Sequence, residues 1–173
     1  MDRAFTIGRL GAKDAADYRL LRLEGLRNSP ASFSSSWEEE SVRSGEDFAA
    51  RLERSFIFGA RATGTGILQG VAGFYVREQI KARHKGVLFG MYVRPEARGT
   101  GMGRALVARV IECATTMVEE ITLTVGADNA SAIRLYERAG FERYALEHRA
   151  LKVDGQYHDE AMMALKLGQP RQV

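Results

Sequence analysis

Cysteine is nearly absent. The single one, Cys113, excludes an internal disulfide framework and a zinc site built on several thiolates. The three histidines, His84, His148 and His158, stand at no metal-ligand spacing, so no metal is expected. Proline is scarce too, with three residues where ~5% of a chain is usual, and no Pro-rich linker divides the sequence. No apolar run approaches the ~20 residues of a membrane-spanning helix. Met1-Asp2-Arg3-Ala4 opens without the apolar stretch of a secretory leader. Nor does either sign of charge dominate: 25 Lys and Arg against 22 Asp and Glu give +3. That balance is too mild to argue by itself for nucleic acid or a membrane. These absences predict a soluble, cytoplasmic protein with neither as partner.

What is present suits one compact domain spanning residues 1–173: 45% apolar and 27% charged residues are globular proportions. Glycine is the excess, 18 residues against a usual ~7%, and ten of them fall between Gly59 and Gly103. The same region is basic. From Arg77 to Arg109 eight Lys or Arg face only Glu78 and Glu96, a local +6 that leaves −3 for the rest.

Periodicity supplies the elements. Phe5-Thr6-Ile7 reads as a strand. Asp14 opens a helix with Ala16, Leu20 and Leu23 on one face, ending before Pro30. Ser29 to Ser36 reads as a loop. Ser44 caps a second helix, with Asp47 three residues on and Phe48 and Leu52 on one face. Strands follow at Phe56 to Ala60, Ile67 to Arg77 and Val87 to Val93; Gly70, Gly73 and Gly90 inside them mark bulges or close approaches. A helix after Gly103 carries Leu106, Val110, Cys113 and Met117 as an apolar stripe, which makes Cys113 a packing residue rather than a nucleophile. Ile121 to Val125 is a strand, Ala130 to Ala139 a short helix stopped by Gly140, and Asp154-Gly155 a hairpin turn between two last strands. The order β-α-α-β-β-β-α-β-α-β-β predicts a mixed sheet with helices on its faces.

The chemistry concentrates where the strand ending at Val93 runs into Arg94-Pro95-Glu96-Ala97-Arg98-Gly99-Thr100-Gly101-Met102-Gly103-Arg104 and a helix. The first amides of a helix lack internal partners and sit at a positive dipole end. Glycines at 99, 101 and 103 let an anionic group approach them, so the segment reads as a diphosphate cradle. The dinucleotide fingerprint G-x-G-x-x-G fails, because Arg104 stands where its third glycine belongs, and Gly-Lys-Ser/Thr is absent.

Tyr92 to Leu106 resembles the acyl-CoA signature of the GCN5-related N-acetyltransferases, whose Arg/Gln-x-x-Gly-x-Gly/Ala core corresponds to Arg98, Gly101 and Gly103. Asp128 to Phe141 resembles the family's Asn-x-x-Ala-x-x-x-Tyr-x-x-x-Gly-Phe helix. The resemblance implies an α/β (α+β) single domain. Its central sheet would be mixed, mostly antiparallel and of about seven strands, with helices on both faces. The strand ending at Val93 would splay from Ile121 to Val125. It implies acetyl-CoA as acyl donor and a primary amine as acceptor, the amine attacking the thioester directly in a ternary complex. Arg98, Gly99, Thr100, Gly101, Met102, Gly103 and Arg104 would hold the pyrophosphate, the edge Met91-Tyr92-Val93 the pantetheine arm, and Asn129 and Ala132 the same gap. Relatives are often homodimers.

A strand amide freed by splaying suits the developing oxyanion. A Tyr hydroxyl, titrating near ~10, suits the departing thiolate, which makes Tyr136 the candidate general acid; its alternative is core packing with Ile133 and Phe141. Glu78 is the candidate base, with Glu38 to Glu40, His84, His158, Asp159 and Glu160 as alternatives; the Glu38 to Glu40 run also reads as a solvated face. Phe33, Trp37 and Tyr157 would form an aromatic wall of the acceptor pocket, or ordinary core. A small amine or amino-acid-like acceptor is expected. A protein or peptide amine is the rival, and a non-catalytic acyl-CoA-binding module is the rival class.

Overall fold

Seven stretches of alternating or continuously apolar sequence become strands, and one sheet takes all of them. The computed structural model describes residues 4–168; residues 1–3, on which the expectation about a secretory leader rests, lie outside them. The strands are β1 (Phe5–Arg9), β2 (Phe56–Ala62), β3 (Leu68–Val76), β4 (Lys85–Val93), β5 (Glu120–Gly126), β6 (Glu142–Val153) and β7 (Gln156–Lys166). The helices are α1 (Ala15–Asn28), α2 (Trp37–Ser41), α3 (Gly45–Arg54), α4 (Met102–Thr115) and α5 (Ala130–Arg138). Spatial order is β1-β2-β3-β4-β5-β7-β6, antiparallel throughout except for the parallel pair β4–β5. Among the described residues no helix is long and apolar enough to cross a membrane.

Each face of the sheet has its own core. On one, Tyr18 and Leu21 of α1 and Phe48 and Leu52 of α3 pack on Ile57, Leu68, Val71 and Tyr92. On the other, Leu106, Val107 and Val110 of α4 and Ile133 and Tyr136 of α5 pack on Phe58, Phe74, Leu88, Ile121 and Leu123. Ser44 caps α3 reciprocally with Asp47, as the sequence predicts.

Three expectations change. Helix α1 buries Tyr18, Leu21, Arg22, Gly25 and Leu26, and it leaves Leu20 63% exposed and Ala16 at the surface. Its partner is the Tyr92 ring, so close that a Cβ on Gly25 would lie 3.0 Å from it. On α4 the buried strip is Met102, Leu106, Val107, Val110 and Ala114. Cys113 is half-buried and Met117, beyond the helix end, is 37% exposed. That helix lies across β1 to β4, and a broad contact wants a strip wider than one residue per turn. Third, the expected loop Ser29 to Ser36 holds a tight helical turn, Pro30–Ser32, and leads into α2, whose N-cap Ser36 and Glu39 cap each other.

Gly70 and Gly73 are close approaches. A Cβ on Gly73 would stand 2.6 Å from the Phe89 ring, and one on Gly70 3.0 Å from the Met102 sulfur.

Candidate active site

The parallel pair is short. Lys85, Gly86 and Val87 pair with Glu120, Ile121 and Thr122, and the pairing ends there. A Lys85–Glu120 ion pair at 2.7 Å and the Thr122 hydroxyl on the Gly86 carbonyl at 3.3 Å pin this closed end. Strand β5 stays bonded to β7 along its whole length, so it is β4 that departs. The cause is a bulge: Val71 pairs with Tyr92 and Gly73 with Phe89, so Ala72 alone opposes Gly90 and Met91. Gly90 has φ +63, a left-handed value that a side chain would resist. The extra residue puts Leu88 and Met91 toward α4 and Phe89 and Tyr92 toward α1. The edge Met91–Val93 therefore faces a wedge with no strand in it, and its outward amides are free to meet a ligand.

The glycine-rich turn stands at the mouth of that wedge. Gly99 (φ +77) and Gly101 (φ +85) both need the left-handed region, and a Cβ on either would meet nothing within 4 Å. Gly101 is the N-cap of α4. The first intrahelical bond runs from the Ala105 amide to its carbonyl at 3.0 Å, so the amides of Met102, Gly103 and Arg104 come before the ladder starts. An open surface with unclaimed amides at a positive dipole end fits a diphosphate. The side chains around it do other work. Arg98 donates from Nε to the Val93 carbonyl (3.0 Å) and Thr100 from Oγ1 to the Ala97 carbonyl (2.7 Å), which holds the turn on β4. Met102 is buried. Gly103 keeps helix and strand close, since its Cβ would lie 3.3 Å from the Met91 methyl and 3.5 Å from Leu135. Arg104 is exposed and has no ion pair among the described residues. The basic segment is divided: Arg77, Lys81 and Arg83 lie at the closed end, and Arg94 is paired with Glu24 at 2.9 Å.

Helix α5 borders the wedge from the α4 side. The Asn129 side-chain oxygen accepts from the Ala132 amide at 3.1 Å and caps the helix. Tyr136 is 5% exposed, edge-on to Phe141 with ring centroids 5.9 Å apart. Burial raises its hydroxyl far above the ordinary tyrosine range, so it stays a neutral donor. No hydrogen bond from that hydroxyl to a described residue is recorded, and no enclosed side-chain polar atom among them lacks a partner. The small exposed part of Tyr136 is thus its polar end.

On the opposite face α1 is tied to β4. The Tyr92 hydroxyl donates to Glu24 at 3.2 Å and accepts from Asn28 at 3.3 Å. The turn Pro30–Ser32 reaches over to β5 and β6, and the Ala31 carbonyl lies 3.9 Å from where a Cβ on Gly126 would stand. Beneath it sits a cluster that hydrophobic patterning missed. Glu40, 1% exposed, accepts from Arg22 Nε (3.1 Å) and Nη2 (2.8 Å) and from Arg51 Nη1 (3.0 Å). Burial pushes this carboxyl up; the hydrogen bonds and charges of Arg22 and Arg51 outweigh it and hold the group at about 2. Glu38 and Glu39 are solvated as expected, but Glu40 is not. Only the capping pair Ser36–Glu39, which starts a helix and turns its fourth residue inward, hints at this in the sequence.

The three aromatics expected at the acceptor pocket do not stack on one another. Phe33 lies under the Arg22 guanidinium (4.8 Å), Trp37 under Arg27 (4.4 Å) and Tyr157, near the β6–β7 turn, under Arg149 (3.9 Å); none stacks on another. Cations claim each ring first. Glu78 is not brought to the wedge either. It follows β3 next to Lys85 at the closed end, about 17 Å of strand from Gly90 at ~3.3 Å per residue. His84 lies at the same end. Asp159 is occupied by His148 (2.8 Å) and the Arg149 amide (2.8 Å). Glu160 is better placed: it pairs with Gly126 at the open end of β5, and burial with the nearby Glu147 raises its carboxyl.

Known proteins share this fold. A phosphinothricin acetyltransferase of the GNAT superfamily from Sinorhizobium meliloti, solved with acetyl-CoA, superimposes with TM-score 0.83 at 23% identity, covering 98% of this chain and 94% of its own. A ribosomal-protein-alanine N-acetyltransferase from Brucella melitensis gives TM-score 0.80 at 25% identity over 94% and 99% of the two chains. In sequence, mycothiol acetyltransferase of Kocuria rhizophila is 43% identical over 63 residues, 36% of this chain and 21% of that protein. The chain thus matches about a fifth of that curated relative's length. The profile of the Acetyltransferase (GNAT) family covers residues 23–141, from α1 through the bulged β4, the glycine turn and α5. With the wedge, the turn and the α5 tyrosine all inside that match, the chain belongs to the acetyltransferase (GNAT) family.

Proposed function

We propose that this chain is an N-acetyltransferase that moves the acetyl group of acetyl-CoA to the primary amine of a small, amino-acid-like acceptor by direct attack in a ternary complex. The observation that carries the reading is the wedge: β4 leaves β5 after Val87, and the unclaimed amides of α4 stand at its mouth. Acetyl-CoA would supply an activated acyl group. The amides of Met102, Gly103 and Arg104 would hold its diphosphate, and the edge Met91–Val93 its pantetheine arm. A β4 amide beside the bulge would stabilise charge on the carbonyl oxygen. Tyr136 on α5, which burial keeps neutral, would protonate the leaving sulfur. Glu160, on the acceptor side, suits the removal of a proton from the amine better than Glu78 does.

The turn Pro30–Ser32 lying against β5 and β6 supports a small acceptor over a protein one, because it narrows the cleft a chain would have to cross. Thiol release from acetyl-CoA, measured over a panel of amines, amino acids and peptides, tests the reading. Release with small amines is the expected result. Tight CoA binding without release for any acceptor would make the chain a binding module, and release with peptides alone would make the acceptor a polypeptide.

A further inference from the structure

Arg22 is an unusual residue to find inside α1. Its side chain is 9% exposed, and two neighbours hold it. Its Nε–Nη2 edge is engaged by Glu40, itself fixed from behind by Arg51. Its plane lies over the Phe33 ring at 4.8 Å. The remaining nitrogen, Nη1, lies 3.7 Å from where a Cβ on Gly90 would stand, beside the bulge that opens the wedge. No hydrogen bond of Nη1 to a described residue is recorded, and no sealed side-chain polar atom among them lacks a partner. Nη1 therefore meets accessible space.

Two guanidiniums share the Glu40 carboxylate; Arg51 is 20% exposed and also interacts with Asp47, whereas Arg22 has no other carboxylate partner among the described residues. An excess charge away from bulk water is costly unless an anion meets it. A guanidinium that already spends one edge on Glu40 can turn only its other end outward, and rigid orientation by a carboxylate and a ring lowers the entropy lost when that end binds.

We propose that Arg22 Nη1 is the receptor for a carboxylate on the acceptor, so that the substrate is an amine bearing a free carboxylate a few bonds away, an α-amino acid or a near homologue. This rests on the acetyl-transfer reading and narrows it. Gly90 directly precedes the edge Met91–Val93 that would hold the thioester. An anion at Arg22 and an amine at the thioester therefore belong to one small molecule. A polyamine has no such group, and a peptide N-terminus has lost its own to the next amide bond. Glu40 is a positioning residue, acting through Arg22.

The test compares matched acceptors on the full chain: an α-amino acid, its carboxamide and its decarboxylated amine, across several side chains. A charge-assisted hydrogen bond predicts kcat/KM about 10- to 100-fold higher for the free acid. Arg22→Lys keeps a charge for Glu40 but withdraws the fork, and should bring that preference down to about threefold or less on the same scale. The double variant Arg22→Gln with Glu40→Gln removes the Arg22–Glu40 pair together, leaves only the more exposed Arg51, 20% accessible, to water, and should do the same while acetyl-CoA affinity is unchanged. Release with amines but with no preference for the free acid overturns the inference and leaves acetyl transfer standing. So does a preference that survives in both folded variants. A chain that does not bind acetyl-CoA overturns both.

Discussion

Replacing Glu40 by glutamine keeps its shape and removes its charge, and the structure says what that costs. In the folded chain the carboxyl titrates at about 2, against 4.5 for the unpartnered group. Each tenfold change in proton affinity is worth ~1.4 kcal/mol, so the charged form contributes about 3 kcal/mol at pH 7. Stranding one member of a buried ion cluster costs a comparable ~3–5 kcal/mol. For a chain of this size each kcal/mol moves Tm by roughly 2–4 °C, so Glu40→Gln should melt about 6–12 °C lower. The sign of the pH dependence follows from a lowered pKa. The contribution is complete above about pH 4.5 and is lost as pH falls through about 2. Linkage leaves about 1.4 kcal/mol of it at pH 3. Urea unfolding of wild type and Glu40→Gln at pH 7, 4 and 3 measures this directly. The expected gap shrinks by about half or more from the first pH to the last. A gap under ~1 kcal/mol at pH 7, or one equal at pH 7 and pH 3, would refute the buried-carboxylate reasoning.

Two further predictions concern the donor side. Gly101→Val puts a β-branched residue at φ +85 in open space, so it should cost only ~1–2 kcal/mol of stability yet weaken CoA binding by about tenfold or more; calorimetric titration checks it, and an unchanged Kd in a folded variant rejects the cradle. Tyr136→Phe removes a hydroxyl with no hydrogen-bond partner among the described residues, so Tm should hardly move while kcat falls by on the order of 10²-fold with the KM for acetyl-CoA kept. Because burial raises that hydroxyl, the loss should be constant from about pH 6 to 9; unchanged turnover removes Tyr136 from the chemistry.

The sequence was most informative where structure is local. A capping serine with its partner three residues on, a glycine after a helix and Asp-Gly between alternating strands act through neighbours in the chain, and α3, α5 and the β6–β7 hairpin stand where they predict. The turn Arg98 to Arg104 was legible for the same reason: left-handed glycines and a helix start are one continuous segment. The role of Gly103 was not, because the Met91 and Leu135 atoms that need its small size come from other elements.

The face of α1, the burial of Glu40 and the partners of Phe33, Trp37 and Tyr157 were illegible for one physical reason. Each depends on which cation or ring arrives from elsewhere in the chain, and counting apolar residues treats every arginine as surface. Arg22 is buried because Glu40, 18 residues away, is buried with it. Glu78 follows the third strand, but the direction of β4 carries it to the wrong end of the wedge. By itself, then, the sequence determined the elements, their caps and the glycine-rich turn before α4, since those are settled by backbone preference within a few residues. Only the tertiary structure decided where β4 leaves β5, which charges are buried together and which arginine lies beside the β4 bulge, since those depend on pairing and desolvation between segments far apart in the chain.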